Sequence, residues 1–253
     1  MSVALTPSID VAQVVLYVFW IFFAGLIFWI RREDRREGYP LEFDNPNRVA
    51  RVGPIMMAAP KTFLTDHGAV TAPNYARDSR EIKATRSGAM PGSPYDPVGD
   101  PLLSEVGPAS FAARADVVEH TLAGTDLVVP LRVASEASVF GGADPRGFEL
   151  LAADGLVVGP IKDIWFDRAD VFVRYLEVEL AGGGGTRLVP MPLVQIHGQK
   201  KKVSVDALTQ AQFASVPTLK HPDRVTALEE ERVSAFFAGG RLYAEPARLG
   251  PVL

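Results

Sequence analysis

The most constraining feature of this 253-residue sequence is an uncharged apolar segment near its start, residues 11–30. It reads VAQVVLYVFWIFFAGLIFWI, with Gln13 as its one amide. At ~1.5 Å per residue, a helix of this length spans the hydrocarbon core of a bilayer. Large apolar side chains point in every direction, whereas a buried core helix usually carries a polar stripe. The segment therefore predicts a single transmembrane helix.

The residues that flank this segment indicate a retained span and its orientation. Cleaved signal peptides have a basic start, but residues 1–10 contain no Lys or Arg and do contain Asp10. Because basic flanks stay on the cytoplasmic side, we expect the N-terminus outside and the rest of the chain in the cytoplasm. We also expect the flanking basic residues at the level of the lipid headgroups. They are four arginines: Arg31, Arg32, Arg35 and Arg36.

Composition and motifs argue against several classes of function. The chain has no cysteine, which removes disulfides, thiolate nucleophiles and cysteine metal sites. Its net charge of −4 argues against nucleic-acid binding. The run Gly182–Gly185 is followed by Thr186-Arg187, which does not fit a phosphate-binding loop, and no nucleophile elbow is present. We therefore expect neither an enzyme nor a directly bound cofactor or metal. The histidines lack metal-ligand spacing: His67, His120, His197 and His221.

Residues 38–108 are rich in proline. Ten of the twenty prolines lie between Pro40 and Pro108. Because proline interrupts helices and sheet ladders, we expect no long regular element here. A disordered linker is one interpretation. Large apolar residues at intervals, such as Phe43, Ile55 and Phe63, favour a segment that lies on another surface.

From about residue 106, short apolar strands alternate with turns, a spacing that indicates a small β barrel or sandwich. Asp154-Gly155 and Gly182–Gly185 are turn sequences. A helix is predicted over 223–237, with Gly239-Gly240 as its C-cap, and a shorter helix over 207–214. The strands are predicted at residues 127–133, 149–153, 156–158, 161–166, 171–180, 187–196 and 203–205.

Charged residues around the fifth predicted strand are the candidates for chemistry. Arg174 shares strand parity with apolar residues, and an arginine on an apolar face needs a carboxylate partner. Asp167 and Asp170 are close enough in sequence to supply it, whereas Glu177 and Glu179 are expected on the opposite face. Two interpretations stay open. The residues form a surface ion-pair cluster, or the carboxylates share protons because mutual repulsion raises at least one pKa.

Short motifs spread over nearly the whole chain occur in a specific order. They include Phe19-Trp20-Ile21-Phe22, Arg36-Glu37-Gly38-Tyr39-Pro40, Pro60-Lys61-Thr62-Phe63, Gly99-Asp100-Pro101, Val106-Gly107-Pro108-Ala109-Ser110, Asp163-Ile164-Trp165, Arg174-Tyr175-Leu176-Glu177, Leu228-Glu229-Glu230 and Ala238-Gly239-Gly240. In this order they resemble the H subunit of the purple-bacterial photosynthetic reaction centre.

The resemblance implies a single transmembrane helix, a mainly β cytoplasmic domain of the PRC-barrel type and a C-terminal helix. It also implies a bacterial inner, intracytoplasmic photosynthetic membrane as the location. The domains expected are a periplasmic N-terminus 1–10, a transmembrane helix 11–30, an extended membrane-surface segment 31–105, a cytoplasmic PRC-barrel domain 106–245 and a tail 246–253.

The resemblance further implies a subunit that binds no pigment, stabilises the pigment-binding core and covers the secondary-quinone site. It conducts protons to that site from the cytoplasm during light-driven electron transfer. The positions that match the family's proton-uptake acids are Asp167 and Asp170, with Arg174 beside them, and Glu119. Some members carry a histidine pair near the proton entrance, where this chain has Ala123-Gly124-Thr125.

The partners implied are the L and M pigment-binding subunits and membrane lipids, with a cytochrome subunit and a light-harvesting ring as further candidates. Bacteriochlorophyll, bacteriopheophytin, quinones and non-haem iron are expected in the partner subunits. The alternative function is a membrane-tethered PRC-barrel adaptor or scaffold that has no photochemical partner.

Overall fold

The computed structural model describes most of the chain in two compact units. One unit comprises Met1–Arg80 with Met90–Gly92, and the other Glu81–Ala89 with Ser93–Leu253. Parts of the expected N-terminus, surface segment and tail lie outside the described residues, as do His67 and Phe43. The described residues are 4–6, 9–39, 53–66, 68–74, 80–90, 92–134, 136–139 and 142–249.

The first unit is built around helix α1, Val11–Glu33, which follows two short paired strands, β1 (Ala4–Thr6) and β2 (Ile9–Asp10). The Asp10 side chain caps the helix by accepting a hydrogen bond from the amide of Ala12 at 3.3 Å. None of the residues of α1 is buried within the chain. Among the described residues, α1 is the one helix long and apolar enough to cross a membrane, with a mean hydropathy of 2.3.

An antiparallel hairpin follows in the same unit, formed by β3 (Lys61–Thr65) and β4 (Gly68–Ala72). All five residues of β3 are exposed. A two-stranded hairpin with no core of its own is marginally stable in water. The hairpin is therefore a candidate for contact with a further surface.

The second unit contains a small hairpin, β5 (Ala84–Arg86) with β6 (Tyr95–Pro97), and a seven-stranded sheet. The sheet order is β11-β10-β9-β8-β13-β12, and β7 also pairs with β9. Its pairings are antiparallel except β8 with β13. The sheet strands are β7 (Val128–Pro130), β8 (Glu149–Leu151), β9 (Val157–Asp167), β10 (Phe172–Glu179), β11 (Thr186–Pro190), β12 (Val194–His197) and β13 (Lys202–Val205).

Helix α2, Ala227–Tyr243, closes the core of this unit. Its Phe237 packs edge-to-face on Phe213, with ring centroids 5.9 Å apart. Both rings and the indole of Trp165 are fully buried. The helix begins after Thr226, whose side chain forms a capping box with Glu229. This box starts the helix four residues later than the predicted residue 223.

The predicted C-cap at Gly239-Gly240 is wrong, because both glycines lie inside α2 and are buried. A Cβ on Gly240 would stand 2.3 Å from the carbonyl oxygen of Ala207, and one on Gly239 would stand 2.8 Å from Ala109 Cβ. The glycines therefore let the helix approach neighbouring backbone closely.

The predicted architecture of an apolar N-terminal helix, a mainly β domain and a C-terminal helix is confirmed. Several predicted strands are joined, divided or shortened in the structure. Residues 156–158 and 161–166 form one strand, β9, in which Gly159 allows the close approach of Glu179. The segment 187–196 divides into β11 and β12, because the 3₁₀ turn Met191–Leu193 contains a proline that cannot donate to the ladder.

The other two differences concern short helical turns. The strand predicted over 127–133 ends at Pro130, and a 3₁₀ turn follows at Leu131–Val133. The short helix predicted over 207–214 is a 3₁₀ helix at Gln210–Ser215.

Candidate functional site

The predicted acidic cluster lies at the turn that joins β9 to β10. Asp167, the last residue of β9, is 1% exposed. Its Oδ1 accepts hydrogen bonds from the amides of Ala169 at 2.8 Å and Asp170 at 3.1 Å. Asp170 is exposed, and the next residue, Val171, takes a φ of +54°, which is unusual for a β-branched residue. The turn thus fixes one carboxylate inside and presents the other to the surface.

A β-bulge positions Arg174. Val173 pairs with Phe166 and Tyr175 with Trp165, so Arg174 is the extra residue of its strand. The side-chain alternation assumed from sequence is interrupted at this point, and the expectation of a common apolar face for Arg174 is wrong. Arg174 is half-buried, and Tyr175 is buried.

Arg174 joins two buried carboxylates. Its Nη2 lies 2.9 Å from Asp167 Oδ2, and its Nη1 lies 3.4 Å from Glu230 Oε1. The Tyr175 hydroxyl donates a hydrogen bond to the same Glu230 oxygen at 3.0 Å. The predicted neighbours Asp167 and Arg174 are therefore in contact, and Glu230 from α2 is the second acid that Arg174 binds.

Sequence reasoning did not assign a role to Glu230. The side chain of the preceding residue, Glu229, caps the helix. It accepts hydrogen bonds from the amides of Thr226 at 2.8 Å and Lys220 at 2.7 Å. A capping box read from the sequence would have placed Glu229 at the helix start. No sequence signal would have paired Glu230 with residues more than fifty positions away.

The electrostatics of the cluster centre on Glu230. Burial raises the pKa of Glu230, the Tyr175 hydrogen bond and the Arg174 charge oppose that rise, and the Glu119 charge adds to it. Burial tends to lower the pKa of Arg174, but the Glu230 and Asp167 carboxylates outweigh it and the pKa is raised. Burial and Glu230 together raise the pKa of Tyr175. A protonated Tyr175 and a charged Arg174 therefore surround a carboxyl group whose pKa lies above its usual range.

Glu119 lies at the edge of this cluster and acts on it through its charge. Its Oε1 lies 2.5 Å from Arg114 Nη2, and Arg114 Nη1 lies 3.7 Å from Glu231. In the part of the chain that the structure describes, no hydrogen bond joins Glu119 to the Asp167 cluster. At the neighbouring turn, His120 Nε2 lies 3.5 Å from Asp126 Oδ1.

Glu177 and Glu179, which strand alternation predicts on one face, differ in burial, because Glu177 is buried and Glu179 is exposed. Glu177 is 3% exposed and forms a second buried cluster. Trp165 Nε1 donates to its Oε2 at 2.9 Å, and Arg132 Nη1 lies 2.5 Å from the same atom. Arg132 also contacts Asp163 at 3.1 Å. Arg132 also donates to Asp223 Oδ1 at 2.8 Å and to the carbonyl of Pro222, so it ties this cluster to the segment before α2.

Most of the arginines in the last turn of α1 and just after it bind carbonyl groups of their own unit. Arg31 is exposed, whereas the other three are half-buried. These contacts tie the end of α1 to the turn before β3 and to the end of β4. The bonds are Arg32 Nε to Met57 O at 2.8 Å, Arg35 Nη1 to Met56 O at 3.2 Å, and Arg36 Nη1 to Ala59 O at 2.7 Å and to Ala72 O at 3.0 Å.

Comparison with known protein families gives two matches along the chain. The family model for the N-terminal region of the photosynthetic reaction centre H-chain matches residues 3–133, more than half of the sequence. The family model for the PRC-barrel domain matches residues 138–212, which include strands β8 to β13. The described residues contain no group of three or more His, Cys, Asp or Glu that could hold a metal ion.

Proposed function

We propose a function from the premise that this chain belongs to the photosynthetic reaction centre H-chain family. As a reaction-centre H subunit, it stabilises the pigment-binding core, covers the secondary-quinone site and conducts protons to that site from the cytoplasm. It has no catalytic site of its own. Its contribution to light-driven electron transfer is structural support and proton delivery.

The observation that carries the proton-conducting role is the buried pair of carboxylates joined by one arginine. Asp167 and Glu230 are 1% and 6% exposed, and Arg174 lies within 3.4 Å of both. A proton relay needs groups that can take and release protons near neutral pH. Burial raises the pKa of Glu230 in that direction. A surface ion-pair cluster would instead leave its carboxylates exposed.

The cluster offers a short route from solvent to the interior. Asp170 is exposed and takes protons from the cytoplasm. Glu230 holds a proton inside, and its pKa responds to the charge of the half-buried Glu119. The positive charge of Arg174 offsets the negative charges of Asp167 and Glu230. It lowers the pKa of Glu230 and so favours release of the proton. Asp167, fixed by two amide hydrogen bonds, orients Arg174.

The remaining assignments follow from the same family membership. The L and M subunits are the partners that carry bacteriochlorophyll, bacteriopheophytin, quinones and non-haem iron. A cytochrome subunit, a light-harvesting ring and membrane lipids are further neighbours.

The chain crosses the photosynthetic membrane once through α1, with a periplasmic N-terminus, and residues 31–105 lie along the cytoplasmic surface. Protease treatment of sealed inside-out vesicles tests this orientation, because it should digest the C-terminal domain.

Flash-induced absorbance changes of the reaction-centre complex test the proton-conducting role. The second electron transfer to the quinone requires a proton, whereas the first does not require direct protonation. Glu230→Gln should slow the second transfer by about tenfold or more, within the range of lost acid–base participation. Glu245→Gln, a change in a half-buried acid that pairs with Arg248 outside the cluster, is the matched control and should leave both rates within about twofold. An unchanged second transfer in Glu230→Gln would reduce the cluster to a structural ion pair.

A further inference from the structure

The hydroxyl groups of Tyr175 and Ser234 lie beside Glu230, and the proposed function gives them no part in proton transfer. Tyr175 is buried on β10, whereas Ser234 is exposed on α2. We propose that these two hydroxyls pass protons from solvent to Glu230 by a route that does not cross Arg174. The route rests on the proposed function and gives its buried acid an entrance for protons.

Two side chains bind the Glu230 carboxylate in the described part of the chain. Arg174 Nη1 lies 3.4 Å from Oε1, and the Tyr175 hydroxyl donates to the same oxygen at 3.0 Å. A guanidinium has donors only and keeps its proton in proteins. Arg174 therefore cannot carry a proton from Asp167 to Glu230, although it contacts both. The Tyr175 hydroxyl is the contact of Glu230 that can both accept and donate a proton.

Ser234 connects the Tyr175 hydroxyl to solvent. It follows Glu230 by four residues in α2, so the two side chains share one side of the helix. The Ser234 side chain also forms a hydrogen bond with Tyr175. Because the Tyr175 proton is donated to Glu230, the Ser234 hydroxyl is the donor in this second bond. A line of two hydroxyls therefore leads from an exposed residue to a carboxylate that is 6% exposed.

Proton transfer along this line needs no charged tyrosine. Ser234 takes a proton from a hydronium ion as its own proton moves to the Tyr175 oxygen, and the Tyr175 proton moves to the Glu230 carboxylate. Each hydroxyl gains one proton and loses one, so Glu230 becomes a carboxylic acid and both hydroxyls stay neutral. They then rotate about their C–O bonds before the next transfer. Burial and Glu230 raise the pKa of Tyr175, which keeps the phenol protonated as the transfer requires.

A purely structural role, in which Tyr175 ties β10 to α2, is the competing explanation. The hydrogen bond from Tyr175 to Glu230 supports that role. The tie does not need a hydroxyl at residue 234, however, because Ser234 is exposed and is not part of the core. The two explanations therefore differ in what they predict for Ser234.

Flash-induced absorbance changes of the purified reaction-centre complex test the route at Ser234. Ser234→Val and Ser234→Thr introduce β-branched side chains of similar size, and only threonine keeps the hydroxyl. Ser234→Val should slow the second electron transfer by about tenfold or more, whereas Ser234→Thr should stay within about twofold of wild type. The first electron transfer should be unchanged in both. Equal second-transfer rates in the two variants would overturn the proposal.

Tyr175→Phe tests the other hydroxyl of the route. Its effect on the pKa of Glu230 shifts the pH profile of the second transfer, whereas loss of the route lowers the rate at every pH. We expect the lowered rate, and we expect Tyr175→Phe/Ser234→Val to be no slower than the slower single variant, because the two hydroxyls serve one line. Tyr243→Phe, a change at a half-buried tyrosine near the end of α2, is the matched control. A shifted profile with an unchanged maximum, or losses that add in the double variant, would overturn the proposal.

Glu230→Gln distinguishes failure of this route from failure of the proposed function. If Glu230→Gln slows the second transfer and Ser234→Val does not, Glu230 receives its protons along another path. The hydroxyl route is then overturned, and the proton-conducting function stands. If Glu230→Gln leaves the second transfer unchanged, both are overturned.

Discussion

Tyr175 donates its hydroxyl hydrogen bond to Glu230 Oε1 at 3.0 Å, from a β-strand to the first turns of the C-terminal helix. The two side chains are buried, and Arg174 shares the same carboxylate. The contact couples the strand that carries the bulge to the helix that closes the core. It also holds Glu230 beside Arg174.

Removal of the Tyr175 hydroxyl should separate the electrostatic role of this contact from its packing role. In Tyr175→Phe, Glu230 loses a hydrogen bond that lowers its pKa. We therefore expect the pKa of Glu230 to rise further and the unfolding free energy to fall by about 1 kcal/mol. Infrared difference spectroscopy of the carboxyl region measures the first effect. A lowered pKa in Tyr175→Phe would show that the hydroxyl does not stabilise the carboxylate.

The raised pKa of Glu230 also predicts a pH dependence of stability. Between the usual value of 4.5 and the raised value, the folded chain binds a proton that the unfolded chain has released. The unfolding free energy contributed by Glu230 therefore decreases as pH rises through that window. Glu230→Gln removes this slope.

The measurement compares chemical unfolding of wild type and Glu230→Gln from pH 4 to pH 8. The difference in unfolding free energy should shift in favour of the variant as pH rises. Acids outside the cluster titrate equally in both proteins, so they cancel in this difference. A difference that is flat, or that shifts in favour of wild type, would contradict a raised pKa.

Helix α2 provides a packing prediction at Gly240. Glycine to alanine inside a helix usually stabilises it by about 1 kcal/mol. Here the added Cβ would stand 2.3 Å from Ala207 O and 2.4 Å from Leu208 Cδ2. Gly240→Ala should therefore destabilise the protein by at least about 2 kcal/mol. The control is Ala238→Gly, an exposed position of the same helix, which should cost only about 1 kcal/mol. Thermal unfolding of both variants measures the two losses of stability. A loss in Gly240→Ala no larger than that in Ala238→Gly would indicate a flexible helix end rather than close packing.

The arginine flank predicts a link between α1 and the β3–β4 hairpin. Arg36 contacts the carbonyls of Ala59 and Ala72 and pairs with Glu33 at 2.8 Å. Arg36→Gln should increase amide exchange in the hairpin by about five- to tenfold, the effect of losing ~1 kcal/mol of contact. Arg31→Gln, at the exposed arginine, should leave exchange unchanged. Equal exchange in the two variants would show that the hairpin is held by other contacts.

Features that depend on local sequence were predicted well. The apolar length of residues 11–30 predicts α1, and Gly182–Gly185 predicts a turn in which three glycines take positive φ. Asp167 and Arg174 are seven positions apart, and their contact follows from a strand-turn-strand arrangement. These signals need only neighbouring residues, so they are visible without a structure.

Features that depend on distant pairings were not predicted. Glu230 reaches Tyr175 across 55 positions, and Arg132 reaches Glu177 across 45. The bulge at Arg174 changes the side-chain alternation on which the face assignment rested. A glycine pair reads as a helix end from sequence, whereas the close neighbour at Gly240 comes from another part of the chain. Only the fold brings these groups together.

The last prediction separates the two acids proposed for proton uptake. Asp167 is buried, bound to Arg174 and fixed by two amides, whereas Asp170 is exposed and its carboxylate makes no hydrogen bond in the described structure. Asp170→Asn should leave stability within about 0.5 kcal/mol and slow the second electron transfer. Asp167→Asn should cost about 3 kcal/mol of stability, because it leaves Arg174 with one carboxylate fewer.

The double variant Asp167→Asn/Asp170→Asn should transfer the second electron more slowly than either single variant if the two groups support one relay. Flash-induced absorbance changes at several pH values measure these rates, and chemical unfolding of the same preparations measures stability. The matched control is Asp154→Asn, a change in an exposed turn that should alter neither rate. A slowed second transfer in Asp170→Asn at unchanged stability cannot arise from unfolding, so it would identify proton delivery as the affected step. Wild-type rates in the double variant would leave Asp167 and Arg174 as a structural ion pair that fixes the β9–β10 turn.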